Sequence, residues 1–155
     1  MKTAVLYYPS PVGLLRLSAD EDGLCGLHFV QAQAAQTGGT HSSLLYRTAR
    51  ELDEYFAGQR REFDIPLSLH GTAFQRRVWA ALLQLPWGQT RSYAEVAAMA
   101  GSPRACRAVG MANHNNPVSI LVPCHRVVNT GGGLGGYGGG LEAKRYLLRL
   151  EGLSF

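Results

Sequence analysis

The chain has 155 residues, 46% of them hydrophobic, which suits one compact domain or two small ones. Its apolar runs fall far short of the ~20 residues that span a bilayer, and Met1 to Tyr8 meets Pro9 without a signal-peptide cleavage pattern, so a cytoplasmic protein is expected. The formal net charge of +4 is unevenly spread: residues 1–67 carry six Lys/Arg against eight Asp/Glu, and residues 68–155 nine against three. That asymmetry is expected where only the second half meets a polyanion.

The first third reads as a strand meander, Ala4 to Tyr8, Leu14 to Ser18 and Gly23 to Val30, broken by the turn chemistry of Pro9-Ser10-Pro11 and Asp20-Glu21-Asp22. Cys25 and His28 fall in the third strand, Cys25 as core and His28 as a structural residue rather than a ligand. A polar linker, Gln31 to His41, follows. Leu45, Ala49, Leu52 and Phe56 then recur at helical spacing, with Gly58 as the stop. Phe63, Ile65 and Leu67 alternate as a further strand, and Gly71 marks a boundary between domains at 1–68 and 69–155.

Beyond it the signals turn helical. Thr72 and Gln75 form a capping-box pair, and Phe74, Val78, Leu82 and Leu85 line one face until Pro86. Ser92 and Glu95 repeat the box for a short helix from Tyr93 to Ala100, closed by Gly101. Ser102 as N-cap with Pro103 at the first helical position predicts a second helix to Asn113. Helices joined so tightly form a helix-turn-helix candidate, although such pairs also occur in proteins that never touch DNA. On the second helix Ala105, Ala108 and Ala112 fall on one face with Gly110 nearby, which permits close approach by another surface, helix-helix packing being the plain alternative.

Ser119 to Val122 reads as a buried strand leading into Pro123-Cys124-His125-Arg126. A thiol reacts as its thiolate, whose formation a neighbouring imidazolium or arginine favours, so Cys124 is the candidate nucleophile; a small buried hydrophobe is the competing reading. The three cysteines, Cys25, Cys106 and Cys124, are odd in number and far apart, which argues against a disulfide framework. No metal or other cofactor is expected. Gly131 to Gly140 holds eight glycines. Its formal Gly-x-Gly-x-x-Gly lacks the surrounding βαβ unit of a dinucleotide site.

The segment from Tyr93 to Glu151 resembles the O6-alkylguanine-DNA alkyltransferases. The resemblance runs through Ser92-Tyr93, Ala105-Cys106-Arg107-Ala108-Val109-Gly110, Asn116-Pro117, Pro123-Cys124-His125-Arg126-Val127, Gly136-Tyr137-Gly138-Gly139, Leu141-Glu142-Ala143-Lys144 and Glu151. It implies an α/β (α+β) chain: a ribonuclease H-like N-terminal domain of sheet and helix, then a mostly helical domain similar to a winged helix-turn-helix. It also implies irreversible transfer of an alkyl group from O6-alkylguanine in DNA to Cys124, with O4-alkylthymine left open, by a monomer. By the same resemblance, His125 and Glu151 relay the thiol proton and Asn116 positions the active-site turn. Tyr93, the Val127 carbonyl, Tyr137 and the Gly138 amide meet the base. Arg107 enters the duplex as a wedge, with further DNA contacts at Ala94, Ser102 and Thr130. Two alternatives are a lesion binder without chemistry, which carries tryptophan where this chain has Cys124, and a thiol hydrolase that turns over.

Overall fold

The computed structural model describes residues 3–31 and 42–155, so the linker expected at Gln31 to His41 lies, past Gln31, outside the described residues. The chain divides into two compact units, Met1–Leu69 and His70–Phe155. Among the described residues no helix is long and apolar enough to cross a membrane.

The first unit is an antiparallel meander of β1 (Ala4–Ser10), β2 (Gly13–Ala19) and β3 (Leu24–Phe29), with α1 at Ser43–Phe56. Cys25 is half-buried rather than core, because the register slips between Ser18 and Ala19 and leaves it without a cross-strand partner, as the bulged residue. The Ser42 hydroxyl caps α1, and the helix buries Leu45, Thr48, Leu52 and Tyr55. Its apolar face is thus turned from the one expected, with Ala49 and Phe56 only half-buried. The strand expected at Phe63 to Leu67 does not form. Pro66 has no N–H to give a ladder, and the segment makes a single bridge, Leu24 to Leu67, beside a 2.8 Å bond from Leu24 N–H to the Pro66 carbonyl. That approach demands glycine at position 23, where a Cβ would stand 2.4 Å from the Pro66 oxygen.

In the second unit both capping boxes form, Thr72 with Gln75 on α2 (Ala73–Leu82) and Ser92 with Glu95 on α3 (Tyr93–Met99). α2 stops at Leu82, ahead of Pro86, in hydrogen-bonded turns at Gln84 and Leu85. The start expected for the next helix is corrected. α3 ends with Gly101 at φ 80°, its N–H bonded to the Ala98 carbonyl and the Ser102 N–H to that of Ala97. This Schellman closure commits Ser102 to ending α3. Pro103 then takes the second place of a turn closed by Ala105 N–H on the Ser102 carbonyl, and α4 runs from Cys106 to His114 with Ala105 as an uncapped start.

α2, α3 and α4 pack on one another, and the buried Trp79 of α2 donates through Nε1 to the Ala112 carbonyl of α4 at 2.8 Å. Ala112 is therefore core, whereas Ala108 is exposed. β4 (Arg91–Ser92) pairs in parallel with β5 (Val127–Val128), and α5 (Leu141–Leu150) closes the unit. The short β4–β5 pairing brings the start of α3, and with it Tyr93, to the segment that follows Cys124.

Candidate active site

The residues before Cys124 are buried, as expected, but form a tight turn instead of a strand. Val122 N–H bonds the Val118 carbonyl at 3.0 Å, and Leu121 N–H bonds that of Ser119. Asn116 replaces the missing ladder: its Nδ2 donates to the Val122 carbonyl at 2.7 Å and its Oδ1 accepts from Val118 N–H at 3.0 Å. At the apex Ile120 has φ 74°, a left-handed conformation costing a β-branched residue roughly 1–3 kcal/mol. Burial of Ile120, 1% exposed, and the Asn116 bonds hold the turn against that strain.

The turn delivers Cys124 into a short 3-10 helix, Cys124–Arg126, with the sulfur's residue only 4% exposed. The expectation that His125 and Arg126 depress the thiol is corrected. Burial pushes the Cys124 thiol up, opposed by the Asn116 side chain, the Lys144 charge and the Ser119 hydroxyl. His125 and Arg126 are turned to Glu151 instead. His125 Nε2 lies 2.8 Å from Glu151 Oε2, Arg126 grips the carboxylate through Nε at 2.8 Å and Nη2 at 3.0 Å, and Arg126 Nη1 donates to the Leu85 carbonyl. Gly88 N–H also donates to Glu151 Oε1, at 3.1 Å.

Burial alone would raise the Glu151 carboxyl, but the hydrogen bonds of His125 and Arg126 and the Arg126 charge outweigh it and hold the group below the usual carboxylate range. Burial dominates at His125, pushing its imidazole down despite Glu151, with Arg126 and Lys144 acting in the same sense. A neutral ring that gives its Nε2 proton to Glu151 presents a basic Nδ1, and that atom is buried without a hydrogen-bond partner among the described residues.

A cavity of about 90 Å³ opens on Cys124, walled by Gly110, Asn113 and His114 of α4, by Tyr93 and Ser119, and by Gly136, Tyr137 and Gly138. The glycine-rich segment is a hydrogen-bonded wall. Asn129 N–H bonds the Gly133 carbonyl, Gly140 N–H bonds that of Tyr137, and Gly135 has φ 71°, where a Cβ would come 3.1 Å from the Tyr93 ring. Beneath it lies Lys144, fully buried, donating to the Val127 carbonyl at 2.6 Å and the Gly136 carbonyl at 3.1 Å. Burial brings its ammonium down to about 8, although the neighbouring Cys124 acts to raise it.

Over residues 73–153 the chain matches the DNA-binding domain of the 6-O-methylguanine DNA methyltransferases, and over 5–69 their ribonuclease-like domain. It is 50% identical over 145 residues to the methylated-DNA-protein-cysteine methyltransferase of Mycolicibacterium paratuberculosis, covering 92% of this chain and 88% of that one. The chain belongs to the methylated-DNA-protein-cysteine methyltransferase family. The family's Methanosarcina acetivorans member is 42% identical over 94% of this chain and 96% of its own. Among crystal structures, the O6-methylguanine methyltransferase of Mycobacterium tuberculosis superposes with a TM-score of 0.86 at 44% identity, covering 97% of this chain and 93% of that one. The same organism's OGT in complex with DNA gives 0.84 at 47% identity, over 94% and 90%.

Of the residues singled out in the sequence of this methyltransferase-family chain, the cavity unites Cys124, Tyr93, Tyr137 and Gly138. Asn116, His125, Val127 and Glu151 are buried around Cys124 without lining it. Arg107, Ala94 and Thr130 are exposed, on the first turns of α4 and α3 and at the start of the glycine segment, and Ser102 is half-buried in the turn between the two helices. Sequence reasoning gave no role to Lys144 and paired Arg126 with the wrong group. The signal for Lys144 was available: Lys144, Leu147, Leu148 and Glu151 recur at i, i+3, i+4 and i+7, so both charges sit on the buried stripe of α5. Lys144→Met removes the cation beside the thiol. The pH profile of Cys124 alkylation by iodoacetamide is expected to move up, and an unmoved profile would show that the ammonium does not act on the sulfur.

Proposed function

We propose that this chain repairs DNA by direct reversal, moving the alkyl group of O6-alkylguanine irreversibly to Cys124. In that reading residues 69–155 bind DNA and accept the alkyl group, residues 1–68 form a separate α/β domain, and the chain acts alone in the cytoplasm. The observation that carries it is the buried Cys124 at the base of a cavity walled by α4, backed by a neutral His125 held on Glu151. The sulfur attacks the alkyl carbon, the C–O6 bond breaks, and its electron pair stays on the base. The thiol proton passes to His125 Nδ1 through a water, and the departing guanine regains a proton at N1. The Tyr93 hydroxyl donates to N3 and offsets charge developing on the leaving base. A thioether has no hydrolytic way back at neutral pH, so each molecule acts once.

Mixing the protein with duplex DNA bearing O6-methylguanine is expected to add one methylene to its intact mass, stoichiometrically, on the peptide that holds Cys124. Repeated turnover with an unmodified cysteine would instead establish a hydrolase, and binding without a mass change a lesion binder. Arg107 stands on the exposed first turn of α4, and in this reading its side chain fills the space an everted base leaves. Unstacking costs a few kcal/mol, so Arg107→Ala should slow transfer from duplex DNA by about 10-fold or more and from a single-stranded oligonucleotide far less. Equal losses on both substrates would remove the wedge.

A further inference from the structure

Asn113 has no part in the reaction as derived above, yet it is built into the cavity wall. It lies on α4, 7% exposed, and lines the space between Cys124, Tyr93 and Gly138. Its Oδ1 is buried and accepts no hydrogen bond among the described residues. Asn116, by contrast, uses both ends of its carboxamide. A buried acceptor without a donor costs the resting protein free energy, which is recovered when a ligand brings an N–H to it.

We propose that Asn113 Oδ1 accepts a hydrogen bond from the exocyclic amine of the everted base and sets a preference for guanine over thymine lesions. This rests on the reading of Cys124 as alkyl acceptor. Alkylation at O6 strips the proton from N1, so every ring nitrogen of the lesion not joined to sugar is an acceptor, and the only N–H bonds left belong to the 2-amino group. O4-alkylthymine has lost its N3 proton and carries no N–H at all; it would leave Oδ1 orphaned inside the cavity. The amine has two N–H bonds, so a second acceptor is compatible with the first. The Val127 carbonyl, the acceptor implied by family resemblance, receives Lys144 Nζ at 2.6 Å on one lone pair and keeps the other, so each acceptor can take one amine N–H, and Asn113 Oδ1 is the one that stands unpaired before the base arrives. Sites that hydrogen-bond an N–H in a desolvated pocket discriminate strongly against analogues that lack it.

The test compares single-turnover transfer to Cys124 from two duplexes that differ only at the lesion, O6-methylguanine and O6-methylhypoxanthine, the same base without its amine. Native protein is expected to favour guanine by about 10-fold or more. Asn113→Leu removes the acceptor at similar volume. It should slow transfer from O6-methylguanine much more than from O6-methylhypoxanthine, so that the two rates converge, whereas Asn113→Asp keeps an acceptor and should keep the preference. A preference undiminished in Asn113→Leu, or equal slowing on both bases, overturns the assignment. So does the lack of any preference in native protein, which decides the matter even if Asn113→Leu does not fold. Failure of native protein to take up methyl from either duplex would defeat the Cys124 reading instead, a distinguishable result.

Discussion

Cys124→Ala is expected to bind lesion-bearing duplex DNA with native affinity and to take up no alkyl group. The two halves of that result rest on different parts of the structure. Among the described residues the thiol is the only soft nucleophile lining the cavity, so its removal takes away the atom that would attack the alkyl carbon. The DNA-facing candidates, Arg107 and the exposed turn of α4, are untouched, and the substitution deletes one buried sulfur whose backbone N–H still bonds the Val122 carbonyl at 2.8 Å. Loss of that small group should lower stability by about 1 kcal/mol, too little to unfold a domain. Anisotropy with labelled duplex at fixed salt reads the binding, and peptide mass reads the transfer. Mapping matters because Cys106 is exposed and Cys25 half-buried, so an adduct on either would imitate a surviving reaction. Stoichiometric methyl uptake by the variant at the native rate would refute the assignment of Cys124 as acceptor, whereas a slow adduct mapped to Cys25 or Cys106 would not.

What the sequence disclosed follows the range of the interaction behind each feature. Both capping boxes are contacts between residues three apart, and both stand where Thr72, Gln75, Ser92 and Glu95 placed them. The start of α4 was misplaced because Ser102 can cap the next helix or close the previous one, and the positive φ of Gly101 settles the choice. The turn before Cys124 was read as a strand because its residues are apolar and buried. What folds it is the Asn116 carboxamide, whose bonds to the Val118 and Val122 backbone leave no periodic trace in the sequence. Arg126 was assigned to the thiol next door, whereas its partner Glu151 is 25 positions away on another element. The local pattern carried the helices; the charges found partners that only the assembled unit defines.

That network makes Glu151→Ala the substitution with the largest expected cost to folding. The carboxylate is fully buried and accepts from His125, from Arg126 in two places and from Gly88 N–H. Its loss strands a guanidinium that is 8% exposed, an imidazole and a backbone amide together. Breaking a buried pair by removing one partner costs about 3–5 kcal/mol, a large share of the roughly 5–15 kcal/mol that holds a domain. Both tryptophans, Trp79 and Trp87, lie in the second unit, so their fluorescence in a urea titration reports that unit alone. The wild-type protein carries the same information in its acid response. The Glu151 carboxyl titrates below its ordinary 4.5 in the folded state, so the unfolded chain binds the proton first as pH falls. Its stabilisation is complete above about pH 4.5 and is lost as pH drops through the lower folded value. Glu151→Ala should therefore show a much flatter loss of stability below pH 4.5 than the native protein. An equal acid slope in both would mean that the carboxylate contributes nothing to holding His125 and Arg126, and the relay would lose its anchor.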